Sequence, residues 1–205
     1  MTIKCAAAPG RAGGHSLFDL MTTLSVAGAL ACVAVPSLDT LVLNERRTAV
    51  VNDLLRTLLL ARSETAKRGR PLVVCGVADS NGNGALDPVE QRCTGHDWSY
   101  GWLVGTWNDA DGNAVVGPGE LTPLRTFQTG AGGRFTVRAG NFTASPPVAP
   151  PGTLLIKEFG RRTSNGTITV CDRRGARHAR AVIVSSVGRA RASPIRADGK
   201  PLACP

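Results

Sequence analysis

The 205-residue chain is poor in the residue patterns that most enzymes need. Its three histidines, His15, His96 and His178, are too scattered to form a zinc site. There is no C-x-x-C pair, no H-E-x-x-H, no phosphate-binding glycine loop and no Ser/His/Asp arrangement, so an enzyme is not expected and no cofactor is required. Aromatic residues make up only 4 %, and few of them lie among the basic residues. Stacking on nucleic-acid bases is therefore not expected. Internal repeats and a low-complexity tail are missing as well.

What is present begins at the N-terminus. A short stretch carrying Lys4 and Arg11 leads into Gly14-His15-Ser16-Leu17-Phe18-Asp19-Leu20-Met21, then an apolar run to Val35, then Pro36. Asp19 stands alone at the mouth of that run. A carboxylate in lipid is costly and needs a cationic partner. A cut after Gly14 would free the amino group of His15, a cation of the required kind. The sixteen residues Leu20 to Val35 fall short of a span, which takes about 20 residues. Leu17, Phe18 and Leu38 largely close the gap. The alternative is a buried helix in a soluble core, but a basic leader, an acid and an apolar run in that order favour a membrane segment.

This order resembles the class III signal of type IV prepilins and pseudopilins. Gly14, Ser16 and Leu17 fit the family pattern, and Pro36 falls where the family also has a proline. His15 replaces the usual Phe and Asp19 the usual Glu. An ordinary secretory signal is removed after its apolar core. The resemblance implies instead that a prepilin peptidase cuts between Gly14 and His15 on the cytoplasmic face, with methylation of the new terminus. Residues 1–14 would be the leader, and 15–42 a retained helix that spans the bacterial inner membrane and later joins the filament core. Asp19 would pair there with a neighbour's amino terminus. The globular part, 43–205, would be periplasmic.

The helix is predicted to continue beyond the membrane. Leu38, Leu41, Val50, Val51, Leu54, Leu55, Leu58 and Leu59 recur at three- and four-residue intervals. Arg46, Arg47, Asn52, Asp53, Arg56, Arg62, Glu64 and Lys67 fill the other positions. Gly69 reads as the C′ residue, with Lys67 and Arg68 in the last turn and Pro71 beyond. From Pro71 the pattern changes to short strands: Leu72–Cys75, Gly101–Val104, Leu124–Gln128, Arg134–Arg138, Leu154–Phe159, Thr167–Cys171 and Ala181–Ser186, separated by Gly, Asn, Asp and Pro clusters. The expected fold is α+β: an amphipathic helix, 43–68, packed on an antiparallel β-sheet within a β-rich region, 71–205. Trp98 and Trp102 are expected to cap that sheet.

Of six cysteines, Cys5 lies in the leader and Cys32 in the apolar helix. The other four, Cys75, Cys93, Cys171 and Cys204, suggest two disulfides in an oxidising compartment. Three pairings are open. Each bond would stabilise by roughly 2–4 kcal/mol.

The resemblance narrows along the chain. Arg62-Ser63-Glu64-Thr65-Ala66-Lys67-Arg68-Gly69, Cys75, Asp97-Trp98-Ser99-Tyr100-Gly101-Trp102 and Gly188-Arg189-Ala190-Arg191 are similar to the FimT/GspH group of minor pilins and pseudopilins. That group has a type IV pilin-like fold, and its partners are other pilins or pseudopilins. Proximity and the resemblance favour Cys75–Cys93 and Cys171–Cys204.

Two constellations offer binding chemistry. Asp79-Ser80-Asn81-Gly82-Asn83-Gly84-Ala85-Leu86-Asp87-Pro88-Val89-Glu90 fits the calcium-loop template at positions 1, 3, 5, 6, 9 and 12. Asp79, Asn81, Asn83, the Ala85 carbonyl, Asp87 and Glu90 would supply oxygens to Ca2+. The flanks do not read as paired helices, and a polar hairpin tip is the competing reading. A weaker echo runs Asp109, Asp111, Asn113 to Glu120, with Ala114 in place of the turn glycine.

The second constellation is basic. The net charge is +9, and residues 155–200 contribute +8 of it. Arg189 and Arg191 are predicted to point to one side of a strand-turn element, with Arg173, Arg174, Arg177, Arg180, Arg196 and Lys200 extending the surface. Guanidinium forks suit phosphate oxygens, and clustered cations release counterions from DNA. The resemblance points the same way, since FimT-like proteins with a Gly-Arg-x-Arg motif are DNA receptors in natural transformation. Binding to double-stranded DNA would be non-sequence-specific and salt-sensitive. The competing readings are a solvated face and a face meeting acidic neighbours in the filament. The resemblance also leaves a second role open, a GspH-like pseudopilin of type II secretion.

Overall fold

In the computed structural model the described residues are 16–80, 92–117, 119–129, 135–143, 147–158 and 163–204, with the backbone alone at 33–36. The first element is helix α1, Leu17–Arg68. Compact packing divides the chain into two units, Met1–Val42 and Leu43–Pro205.

The described residues of the first unit are largely apolar, and their side chains are exposed. Leu17, Phe18, Met21, Leu24, Val26 and Leu30 are each between 59 % and 72 % exposed. Ser16 starts the helix, its Oγ accepting from the Phe18 N–H at 3.3 Å. Asp19 lies in the first turn, where the helix dipole favours an acid. Several hydroxyl side chains bond back to the helix itself. Thr23 and Ser25 hydroxyls donate to the carbonyls of Asp19 and Met21 at 2.9 and 2.7 Å. Among the described residues no single helix is long and apolar enough to cross a membrane, while Leu17–Cys32 and Ser37–Arg68 together satisfy length and composition.

The second unit holds the core. Its part of α1 buries Leu43, Val50, Val51, Leu54, Leu58 and Ala61, the stripe that three- and four-residue spacing creates. Gly69, at φ +60°, ends the helix, its N–H returning to the Thr65 carbonyl at 3.0 Å. Arg47 departs from the sequence reading. It sits on the same stripe, between Leu43 and Val50, and is only 7 % exposed.

Eight strands follow: β1 (Leu72–Val77), β2 (Gly101–Trp107), β3 (Leu121–Gln128), β4 (Phe135–Ala139), β5 (Leu154–Ile156), β6 (Gly166–Asp172), β7 (Arg180–Val184) and β8 (Ala190–Ser193). They form two four-stranded sheets where one was expected, ordered β3-β2-β1-β5 and β4-β6-β7-β8, and every pairing within them is antiparallel. One core cluster draws Leu72, Val74 and Val104 from the first sheet, Val137, Ile168 and Val182 from the second, and Leu54 and Leu58 from α1. Trimming a fully buried leucine such as Leu54 to Ala costs about 2–5 kcal/mol. Trp98 and Trp102 are both buried, with ring centroids 6.5 Å apart. The Trp102 indole N–H donates to the Thr57 hydroxyl of α1 at 2.9 Å, tying helix to sheet. Gly76 makes room for this, because a Cβ there would stand 2.3 Å from Trp98 Cδ1.

Disulfides join Cys75 to Cys93 and Cys171 to Cys204, with Cα separations of 5.3 and 5.9 Å. The second fastens the C-terminal segment beside β6, where Leu202 packs with Ala179 and Ala181.

Candidate functional site

β7 and β8 form a hairpin whose register pairs Val184 with Ala190 and Ile183 with Arg191. The connecting turn is well closed. The Gly188 N–H donates to the Ser185 carbonyl at 2.8 Å, and the Ser185 N–H to the Arg189 carbonyl at 2.9 Å. Gly188 adopts φ +75°, a region that favours glycine. A further bond, from the Thr163 N–H to the Ser186 carbonyl at 2.9 Å, ties the turn to a neighbouring loop. Ala190 packs against the core, so alternation sends Arg189 and Arg191 the other way. Both are exposed. Among the described residues neither takes part in an ion pair. The Arg62 stem lies alongside, its Cδ 4.0 Å from where a Gly188 Cβ would be. Sequence reasoning placed Arg62 on the polar face of α1 but had no signal linking it to a turn 126 positions later.

The remaining basic residues collect elsewhere. Arg174 closes on Asp172, with Nη2 2.6 Å from Oδ2 and Nε 3.1 Å from Oδ1. The Asp172 side chain is fully buried and that of Arg174 15 % exposed. Burial pushes the Asp172 carboxyl up, but bonds from the Arg174 side chain and backbone outweigh it and hold the group below the usual carboxylate range. Arg47 reaches the same place from α1. Its Nη1 donates to the His178 carbonyl and its Nη2 to Asn44 Oδ1 at 3.2 Å. Arg174 Nη2 donates to that same Asn44 oxygen at 3.0 Å. Burial, then Arg180 and Arg174, push the Arg47 pKa down, against Asp172. Arg173 and Arg177 are exposed beside this cluster, and Arg196 lies 3.5 Å from Asp198. Lys200 is exposed, its N–H donating to Asp198 Oδ1 at 3.1 Å.

The structure therefore divides the basic residues named from sequence. The Gly188 turn that carries Arg189 stands beside Arg62, whereas Arg174 shares Asn44 with Arg47, fifteen residues earlier on α1. That is about 22 Å along the helix.

Of the calcium-loop residues, Asp79 is half-buried just past β1. Asn81, Asn83, Ala85, Asp87 and Glu90 lie outside the described residues. The weaker echo does assemble. Ligand oxygens of Asp109, Asp111 and Glu120 all lie within 4.8 Å of one another. Ala114 takes φ +58° at the position where the template has glycine. The carboxylates are already engaged by backbone N–H groups: Ala114 donates to Asp109 at 3.3 Å, Asn113 to Asp111 at 3.1 Å, and Ala110 and Gly117 to Glu120 at 3.1 Å each. These bonds suffice to account for the loop. For pilin-type processing, Gly14 and His15 lie outside the described residues, and Pro36 lies within the helical backbone of α1.

Residues 50–188 match the family model for the type II transport protein GspH. The chain belongs to the GspH family. The match takes in α1 from Val50, all three tryptophans and the Gly188 turn, and stops short of Arg47 and Arg189. Two crystal structures of the type IV minor pilin FimU from Pseudomonas aeruginosa strain PAO1 are similar to this GspH-family chain. Both are 16 % identical to it; they cover 76 % and 74 % of it and 95 % and 98 % of themselves, at TM-scores of 0.49 and 0.47. No curated protein matches. Family membership, with a helix packed on antiparallel sheets, supports a GspH-like subunit of pilin-like fold.

Proposed function

We propose that this GspH-family chain is a minor pilin of a type IV pilus whose β7–β8 hairpin binds double-stranded DNA without sequence preference. A prepilin peptidase cuts after Gly14, and the apolar helix anchors the subunit in the inner membrane. The helix then packs among other pilins, where Asp19 neutralises a neighbour's amino terminus. The observation that carries the DNA reading is the hairpin itself. Two outward arginines, free of ion pairs among the described residues, stand on a turn fixed by backbone hydrogen bonds. Exposed guanidinium groups held two residues apart can each take a phosphate oxygen, and the counterions they displace supply the affinity.

The test is a gel shift with the soluble unit Leu43–Pro205. Charge reversal at Arg189 and Arg191 is expected to abolish the shift. Unchanged affinity and an unchanged salt slope would remove the hairpin as the site. Processing is read by mass spectrometry of the membrane-extracted product, which is expected to begin at His15. An intact Met1 would overturn the anchor reading.

The second reading is a pseudopilin of type II secretion with no DNA role, and the family to which the chain belongs favours it. A deletion strain separates the two. Lost DNA uptake and twitching support the pilus, and lost secretion supports the pseudopilus.

A further inference from the structure

Strand β3 is the edge of the first sheet and, among the described residues, pairs with β2 alone. The Thr129 N–H donates to the Tyr100 carbonyl at 3.1 Å. Alternation therefore directs the backbone groups of Phe127 and Arg125 toward β2, and the N–H and C=O of Thr126 away from it. The side chains alternate as well. Phe127 and Arg125 stand opposite Trp102 and Val104, on the face that packs with α1. Between α1 and this edge lies a cavity of about 470 Å³, within the size range of ligand clefts. Trp102 and Phe127 line it, with ring centroids 6.1 Å apart. Arg125 lies over the Phe127 ring, its Cζ 5.0 Å from the centroid, and Arg46 lines the cavity from α1. Asp53 is the acid in the lining, and Arg56 bonds it at 3.3 Å. Among the described residues neither Arg46 nor Arg125 takes part in an ion pair.

We propose that this edge binds an extended acidic segment of a partner protein as an added strand, antiparallel to β3, with a carboxylate between Arg125 and Arg46. An open strand edge supplies main-chain bonds, and pockets for alternate side chains supply specificity. Antiparallel addition continues a sheet whose pairings are already antiparallel. Residues of the incoming strand at two-residue spacing then stand opposite Arg125 and Phe127, with Cβ atoms about 5 Å apart. An acid meets the first and an aliphatic side chain covers the second. The pattern recognised is thus an acid and an aliphatic residue separated by one position. The Phe127 ring holds the Arg125 guanidinium in place and leaves its charge for the partner. The choice of a peptide over a nucleic acid rests on the outward Thr126 backbone and the apolar rings, which phosphates do not use. The site belongs to the other sheet from the Arg189 hairpin, and it does not depend on the DNA reading.

The test uses the full chain in nonionic detergent and a labelled, end-blocked peptide, Thr-Val-Thr-Asp-Thr-Val-Thr, followed by fluorescence anisotropy. Saturable binding is expected. Lysine in place of the peptide's aspartate is expected to weaken it roughly tenfold or more. Proline in place of the two threonines beside that aspartate removes the N–H that would face Thr126 while keeping the charge, and is expected to abolish binding. Arg125→Glu is expected to reverse the preference, taking the lysine peptide over the parent one, a gain that a misfolded chain does not show. Arg46→Gln, on the exposed side of α1, is expected to weaken the parent peptide several-fold. Arg189→Gln/Arg191→Gln is expected to bind it like the parent chain. Equal binding of the proline and parent peptides overturns the proposal, as does undiminished binding of the parent peptide by Arg125→Glu. A short DNA duplex that displaces the peptide assigns these arginines to phosphate and overturns it. Self-association of the peptide-free chain that Arg125→Glu abolishes gives the edge to a second copy and overturns it too.

Discussion

The Arg189 hairpin and the Arg47 cluster use one residue type under opposite conditions. In the hairpin, Arg189 and Arg191 keep their hydration, and the backbone does the positioning. In the cluster, Arg47 and Arg174 are withdrawn from water and depend on Asp172, Asn44 and the His178 carbonyl. Exposed charges cost the fold little and are available to a partner. Buried ones are part of the fold, and removing one partner strands the other. Net charge alone does not distinguish them; burial does.

The largest expected effect therefore comes from the cluster. Asp172→Ala removes the buried carboxylate on which Arg174 closes, and is expected to destabilise the folded unit by roughly 3–5 kcal/mol. Urea unfolding of the Leu43–Pro205 unit measures it. Arg189→Gln and Arg191→Gln, at the exposed hairpin, should each stay within about 0.5 kcal/mol. Comparable losses at both places would dissolve the distinction between them.

Acid sharpens it further. The folded Asp172 carboxyl titrates below its unfolded value. Its contribution is thus fully present above the ordinary carboxylate pKa and is lost as pH falls through the lower, folded one. Asp172→Asn is expected to flatten the stability profile on the acid side, while the hairpin variant keeps the parent's slope. Equal acid sensitivity in Asp172→Asn and the parent would mean that the Arg174 bond does not hold the carboxyl down.

Much of this was readable in the chain, but unevenly. The stripe Val50, Val51, Leu54, Leu58 and the glycine stop at Gly69 announced the second half of α1, because both signals are local. Seven strands lie where alternation and turn residues predicted them, with ends shifted by a few residues. β8 was missed, since Ala-Arg-Ala-Ser has no β-branched or aromatic residue and owes its extension to pairing with β7. Two sheets in place of one is a matter of non-local pairing, on which periodicity is silent. Arg47 was read as polar face from residue type alone. Its spacing from Leu43 and Val50 already put it on the buried stripe, and its acceptor lies 131 positions away. The acidic echo at Asp109 was discounted for want of a glycine, yet Ala114 adopts the required backbone regardless.

A smaller effect is expected for DNA. Neutralising Arg189 and Arg191 to Gln should reduce the slope of log affinity against log salt by about 1.8, at roughly 0.9 for each phosphate no longer neutralised. Arg173→Gln/Arg177→Gln, beside the cluster, should change it less. Equal reductions from the two pairs would make the whole basic surface one electrostatic field and the hairpin nothing special.

The finest test leaves every charge in place and alters only the turn. Gly188→Ala meets no clash, since its Cβ would make only an ordinary contact with Thr163 Oγ1 at 3.6 Å. The cost is purely conformational: a left-handed backbone at φ +75° penalises a side chain by roughly 1–2 kcal/mol. If the hairpin relaxes to avoid that cost, Arg189 and Arg191 lose their fixed spacing while total charge stays constant. DNA affinity is then expected to fall a few-fold with the salt slope preserved, the reverse of the Gln pair. Affinity indifferent to Gly188→Ala would mean that the arginines act by charge alone and that their placement on the turn is incidental.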